Sequence, residues 1–127
     1  MTLLAKGQIL RTYGVALGRG PARPKDHQGD HKTPERDYLI DQKNMQSRFH
    51  LALHVSYPNT ADRNRAHNDG VDPGGAIMIH GVENRFAWLG FPLRHVDWTD
   101  GCIAITNPEI EEIWRLVPVA TPVEIKP

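Results

Sequence analysis

Eleven glycines and ten prolines punctuate this chain. Neither residue sits well inside a helix or strand, so the elements between them must be short and the turns many. Thirty of the 127 residues are Leu, Ile, Val or Phe. That is enough for one modest core and lies above the range of disordered chains. A single domain over 1–127 is therefore expected. Fifteen basic and fifteen acidic residues cancel. Proteins that bind nucleic acid usually carry a basic excess or stripe, and none is present here, which argues against such a partner. No apolar run approaches the roughly 20 residues of a membrane-spanning helix, so membrane insertion is not expected. The opening MTLLAKGQIL holds no apolar stretch of signal-segment length. One cysteine, Cys102, excludes an internal disulfide framework and leaves a lone thiol to explain.

Hydropathy patterning supplies the elements. Gln8 to Gly18 reads as strand from its β-branched and aromatic content. Gly18 to Pro34 is glycine, proline and charge without periodicity, a long loop expected to flank a cleft and move. Strand character returns at Tyr38–Ile40. Phe49 to Val55 alternates strictly, with Phe49, Leu51, Leu53 and Val55 on one face and His50, Ala52 and His54 on the other. Thr60 to Gly70 suits a short polar helix capped by Thr60, with Asp62–Asp69 as a solvated face. Ala76–Ile79 and Ile103–Ile105 are continuous apolar strands. Asn107 suits an N-cap and Pro108 a first helical position, and Ile110, Ile113, Trp114 and Val117 make one apolar stripe. Val119–Ile125 closes the chain as strand. The fold class is mainly β, a curved β-sandwich or partial barrel with one or two short helices.

The chemistry-bearing residues gather late in the chain. His80 and Gly81 end one apolar strand, and Gly101 and Cys102 begin another. If those strands are neighbours, side chains at their ends meet across roughly 5 Å. An imidazole beside a thiol is a Cys–His pair in which the thiolate is the nucleophile. Gly101 permits a tight bend before the thiol, with nearby amides aimed at the oxygen of an attacked carbonyl. Spacing alone leaves a buried, inert cysteine as the plainer reading. His80, His95, Asp97 and Cys102 also have the ligand types of a zinc site, but without a close Cys-x-x-Cys or helical His pair. His50 and His54 lie about 13 Å apart on an extended strand and cannot grip one ion together.

The stretch Ile77–Ile105 resembles the signature of the L,D-transpeptidase (YkuD-type) catalytic domain family: His80-Gly81, a variable stretch, then Thr99-Asp100-Gly101-Cys102-Ile103. Val15-Ala16-Leu17-Gly18 followed by Gly29-Asp30-His31-Lys32-Thr33-Pro34-Glu35 is similar to the family's strand and its G-D-x-x-T-P-E loop. The resemblance implies cysteine acyl transfer on peptidoglycan stem peptides through a thioester, without a metal or organic cofactor, at the periplasmic or envelope face of a cell. It implies Cys102 as nucleophile and His80 as general base, with a backbone carbonyl such as that of Gly81 orienting the imidazole. Amides of Asp100, Gly101 and Cys102 would form the oxyanion hole. The chain departs from the family at Asp100, where histidine is common, at Ala104, where a substrate-binding arginine is usual, and at Arg36, where glycine follows T-P-E. These departures resemble a side branch with D-W-T-x-G-C-I-A and leave open a hydrolase acting on the same bond, or a silent peptidoglycan-binding scaffold. A redox-sensing thiol is a third class.

The substrate contacts expected beside this centre are Arg94, Thr99, His54 and Trp98. Arg94 is a candidate to supply the cation missing at Ala104; a surface pair with Asp97 is its plainer role. Trp98 is expected in the core or as a substrate platform, and Trp88 on a mobile Val82–Arg94 flap.

Overall fold

The structure, a computed structural model, describes residues 1–89 and 96–127. Strands β1 (Thr2–Ala5) and β2 (Gln8–Thr12) pair as a hairpin. Strands β3 (Asp37–Ser47), β4 (His50–Val55), β5 (Met78–His80), β6 (Ile103–Ala104) and β7 (Pro122–Glu124) make one sheet in the order β6-β5-β4-β3-β7. All its pairings are antiparallel except β5–β6, which run parallel. Helix α1 (Thr60–Asp69) leads from β4 toward β5, and α2 (Asn107–Leu116) from β6 toward β7; a 3-10 turn spans Asn84–Leu89. The mainly β, partly barrel-like fold expected from the sequence is the fold the chain adopts, and of the one or two short helices expected it has two.

The core lies between the sheet and α2, with Ile40, Leu53, Val55, Ile79, Ile103, Ile110 and Ile113 all buried. Ile110, Ile113 and Val117 are the stripe read from the sequence, and they pack on the sheet. Thr106 is the N-cap, one residue earlier than expected, and its amide and hydroxyl both donate to Glu109 Oε2 (2.9 and 2.7 Å). Asn107 has a different task. Its Oδ1 accepts from Val82 N (2.8 Å) and ties α2 to the chain leaving β5.

Similar one-residue shifts occur elsewhere. Helix α1 is capped by Asn59 in a capping box with Asp62, and ends at Gly70 in a left-handed conformation. Asp62 and Ala66 are buried, so this helix is not solvated along the whole of Asp62–Asp69. The strand expected over Gln8–Gly18 is divided. Its second half leaves the hairpin and makes single bridges, Ala16 to Ala104 and Gly18 to Thr99. In β4, Leu53 and Val55 are buried as the alternation requires, but Ala52 on the other face is 1% exposed. That second face is covered because the site is built there.

The long 18–34 loop is cross-linked. Lys25 Nζ meets Asp30 Oδ1 at 2.7 Å with side chains only 4% and 3% exposed. Asp30 also accepts from the amides of Asp26 (2.7 Å), His27 (3.1 Å) and Lys32 (3.0 Å). An ion pair so far from water persists only with its remaining hydrogen-bond capacity satisfied, which these amides achieve. The loop expected to move is therefore a brace at this point. In the other expected flap, Trp88 is 80% exposed on the 3-10 turn, while Phe91 and Arg94 lie outside the described residues.

Candidate active site

Strand register sets the geometry. Ile79 pairs with Ile103 and His80 with Ala104, so Met78 stands opposite Cys102, one residue before β6 begins. His80 and Cys102 thus project from the same face as diagonal neighbours, roughly 8 Å apart at Cα for ordinary strand spacing. His80 is 3% exposed. Its Nδ1 lies 2.6 Å from Gly81 O, which fixes the proton on Nδ1 and leaves Nε2 as the lone-pair nitrogen. The ring packs against Phe49 at 4.4 Å between centroids and meets Trp98 edge-on at 6.1 Å. Burial pushes the imidazole pKa down, partly offset by the Gly81 hydrogen bond.

Cys102 is half-buried, and its Sγ donates to Ala76 O at 3.4 Å rather than to His80. Burial pushes the thiol pKa up, and Asp100 adds to the rise; the Met78 backbone and the Lys25 charge oppose it. Both shifts favour the uncharged forms, a thiol beside a neutral imidazole. Ala76, whose carbonyl receives the thiol proton, has a φ of 56°, left-handed backbone that a non-glycine residue adopts only when its surroundings impose it.

The turn before the thiol is built by two glycines and a threonine. Gly101 has a φ of 124°, and a Cβ there would lie 2.6 Å from Lys32 O. A Cβ on Gly18 would overlap the carbonyl oxygen of His31. The braced loop therefore presses directly on the backbone of the nucleophile. Thr99 is 4% exposed, with its Oγ1 donating to Cys102 O (2.7 Å) and accepting from Gly101 N (3.1 Å). Thr99, expected among the substrate contacts, has its hydroxyl committed to the turn. Gly101 N–H is thereby occupied, whereas Cys102 N–H has no acceptor among the described residues.

Asp100 points outward with its side chain 75% exposed, against Arg19 Nη2 (3.0 Å) and His31 Nδ1 (2.8 Å, misaligned for a hydrogen bond). Asp97 Oδ1 accepts from Leu17 N at 2.8 Å. Arg94 and His95 lie outside the described residues. His54 does face a cleft. It borders a groove of about 530 Å³ that includes Asp41, Arg63 and Ala76. Nothing in the sequence marks Arg19, Asp41, Arg63 or the Ala76 carbonyl as part of a site, and Phe49 stands out there only as one face of an alternating strand. His31 alone carried a signal, through its place in the Gly29–Glu35 motif.

The sequence profile of the YkuD L,D-transpeptidase catalytic domain matches residues 1–125. The Escherichia coli (strain K12) protein named "Putative L,D-transpeptidase YafK" is 31% identical over 113 residues, 87% of this chain and 38% of that protein. The helical cell shape determining protein Pgp2 of Campylobacter jejuni superposes with a TM-score of 0.69 at 28% identity, over 93% of this chain and 40% of its own. An L,D-transpeptidase of Xylanimonas cellulosilytica shares the fold, with a TM-score of 0.64 at 15% identity over 98% of this chain and 54% of its own. The chain spans about two fifths of the length of the YafK and Pgp2 proteins.

Proposed function

Because the chain belongs to the L,D-transpeptidase catalytic domain family, we propose that it performs cysteine-dependent acyl transfer on peptidoglycan stem peptides. Supporting this reading is the placement of His80 and Cys102 on one sheet face, with Nδ1 held by Gly81 O so that Nε2 is the proton acceptor. Cys102 Sγ attacks the carbonyl carbon of a stem-peptide amide as its proton passes to His80 Nε2. The tetrahedral oxyanion takes the Cys102 amide as donor. The C–N bond breaks, the leaving amine receives the proton from His80, and a thioester remains on Cys102. An acceptor amine, or water in a hydrolase, then gives its proton to His80 and attacks the thioester, restoring the thiol. Peptidoglycan as substrate places the work in the cell envelope; no helix among the described residues is long and apolar enough to cross a membrane.

A silent peptidoglycan-binding scaffold is the second reading, favoured by Ala104. That residue is 3% exposed and hydrogen-bonded in both directions to Ala16, where the family's cation would stand. Incubation with purified muropeptides followed by intact-protein mass analysis separates the readings. The parental protein is expected to gain one acyl group and Cys102→Ala none. Cross-linked products indicate an amine acceptor, and trimmed stems indicate water. No adduct and no product would sink the enzyme reading in favour of the scaffold.

A further inference from the structure

A second imidazole shares the nucleophile's row of the sheet. His54 pairs with Met78 across β4 and β5, and Met78 stands opposite Cys102. The three side chains therefore project from the face that also carries His80. Two strand spacings put His54 and Cys102 roughly 10 Å apart at Cα. The two histidines are prepared alike. Asp41 Oδ1 lies 2.5 Å from His54 Nδ1, and a carboxylate only accepts, so Nδ1 holds the proton and Nε2 the lone pair of the neutral ring. Nε2 has no partner among the described residues, and the side chain is 25% exposed at the groove. Two other ionisable groups line that groove. Arg63 comes from α1, and Tyr57 donates its hydroxyl to Pro73 O (2.6 Å), with a pKa that burial pushes up to about 12. Neither accepts a proton near pH 7.

Release of the thioester by an amine has one more proton to remove than His80 takes. An alkyl amine is an ammonium at pH 7, with a pKa of roughly 10.4, and in that form has no lone pair for attack. Its first proton must leave before the attack and its second during it. We propose that the His54–Asp41 pair is a second general base, which takes the first proton from an acceptor ammonium. His54 Nε2 removes one proton from R–NH3⁺, and the free amine attacks the thioester carbon and passes its second proton to His80. The C–S bond breaks, the Cys102 sulfur recovers a proton from His80, and His54 releases its own to solvent through the groove. An attacking nitrogen about 3 Å from the thioester carbon and about 2.9 Å from Nε2 fits within the roughly 10 Å between the two residues. Water as acceptor needs no such first step, so the pair favours amine over water. The inference rests on the acyl-transfer reading.

The test offers the acylated protein two acceptor peptides, identical except that one side chain ends in –CH2–NH3⁺ and the other in –O–NH2, which is neutral at pH 7. The readout is the ratio of cross-linking rates, ammonium to aminooxy. His54→Gln is expected to lower that ratio at least about 10-fold at pH 7, within the usual reach of a general base, and Asp41→Asn to lower it less. The defect should shrink as the pH rises toward about 10.4, where the acceptor sheds its proton unaided. A His54→Gln ratio equal to the parental one overturns the second base. A loss that persists undiminished at high pH does the same, and marks His54 as a binding contact only. An acyl adduct on the parental protein that water alone releases also overturns it, while leaving thioester formation in place. Absence of any adduct on the parental protein removes the acyl-transfer reading itself, and this inference with it.

Discussion

Cys102 and His80 sit in environments that both favour the uncharged form: burial raises the thiol and lowers the imidazole. Proton transfer must then accompany attack instead of preceding it. The expected signature is slow alkylation by iodoacetamide at pH 7, with a rate that climbs until the pH passes the thiol's raised value, above the ordinary range near 8.5. Asp100→Asn removes a negative charge that raises the thiol pKa. Its alkylation profile should shift to lower pH, and only modestly because the carboxylate is largely exposed and already faces Arg19 and His31. A profile that moves upward would contradict the assignment. At this scale the sequence was informative wherever chemistry and chain position coincide, as at His80-Gly81 and Gly101-Cys102. It was silent on Phe49 tilted against His80 and on the Ala76 carbonyl, because those contacts depend on strand register and on one left-handed residue.

Among the elements, α2 was readable because its cap, its proline and its apolar stripe are local signals that agree with each other. The 18–34 loop was not, since glycine, proline and charge describe a mobile loop and a pinned one equally well. What holds it is one buried ion pair within the loop together with tertiary ties, Arg65 to the carbonyls of Lys25 and Asp26 (3.1 and 3.0 Å) and Gln28 N to Asp72 O (2.7 Å). Burial alone would raise the Asp30 carboxyl, but Lys25 and then the neighbouring amides outweigh it and hold it well below the usual carboxylate range. Its folded pKa is depressed, so its contribution to stability is complete above the unfolded value of about 4 and is lost as pH falls through the folded value. Asp30→Asn strands the Lys25 charge in a dry setting and should cost about 3–5 kcal/mol in denaturant unfolding at pH 7. It should also flatten the acid limb of the stability curve and speed amide exchange over residues 25–32. A variant as stable as the parental protein would show the pair to be incidental. The brace also bears on activity, because Lys32 O lies against the turn at Gly101.

For the molecule as a whole, the thirty large apolar residues and the frequent breakers indicated one mainly β domain. The order in which the strands lie was not indicated, because short strands carry no label for their neighbours. That order has a consequence for the route by which the protein folds. Strand β6, which presents the nucleophile, pairs with β5 on one side and with Ala16 on the other, through Ala16 N to Ala104 O (2.9 Å) and Ala104 N to Ala16 O (2.8 Å). Closing that second contact joins segments far apart in the sequence, Ala16 and Ala104, and its entropy cost must be met before it gains anything. Local units such as the β3–β4 hairpin and α2 form ahead of contacts so distant in sequence. Pulsed alkylation during refolding should therefore label Cys102 until the slowest phase, well after β3–β4 amides are protected from exchange. Protection of the thiol together with that hairpin would refute this sequence of events. A chain halted partway has its scaffold but no catalytic centre, so its only thiol comes into register with His80 when folding is nearly complete.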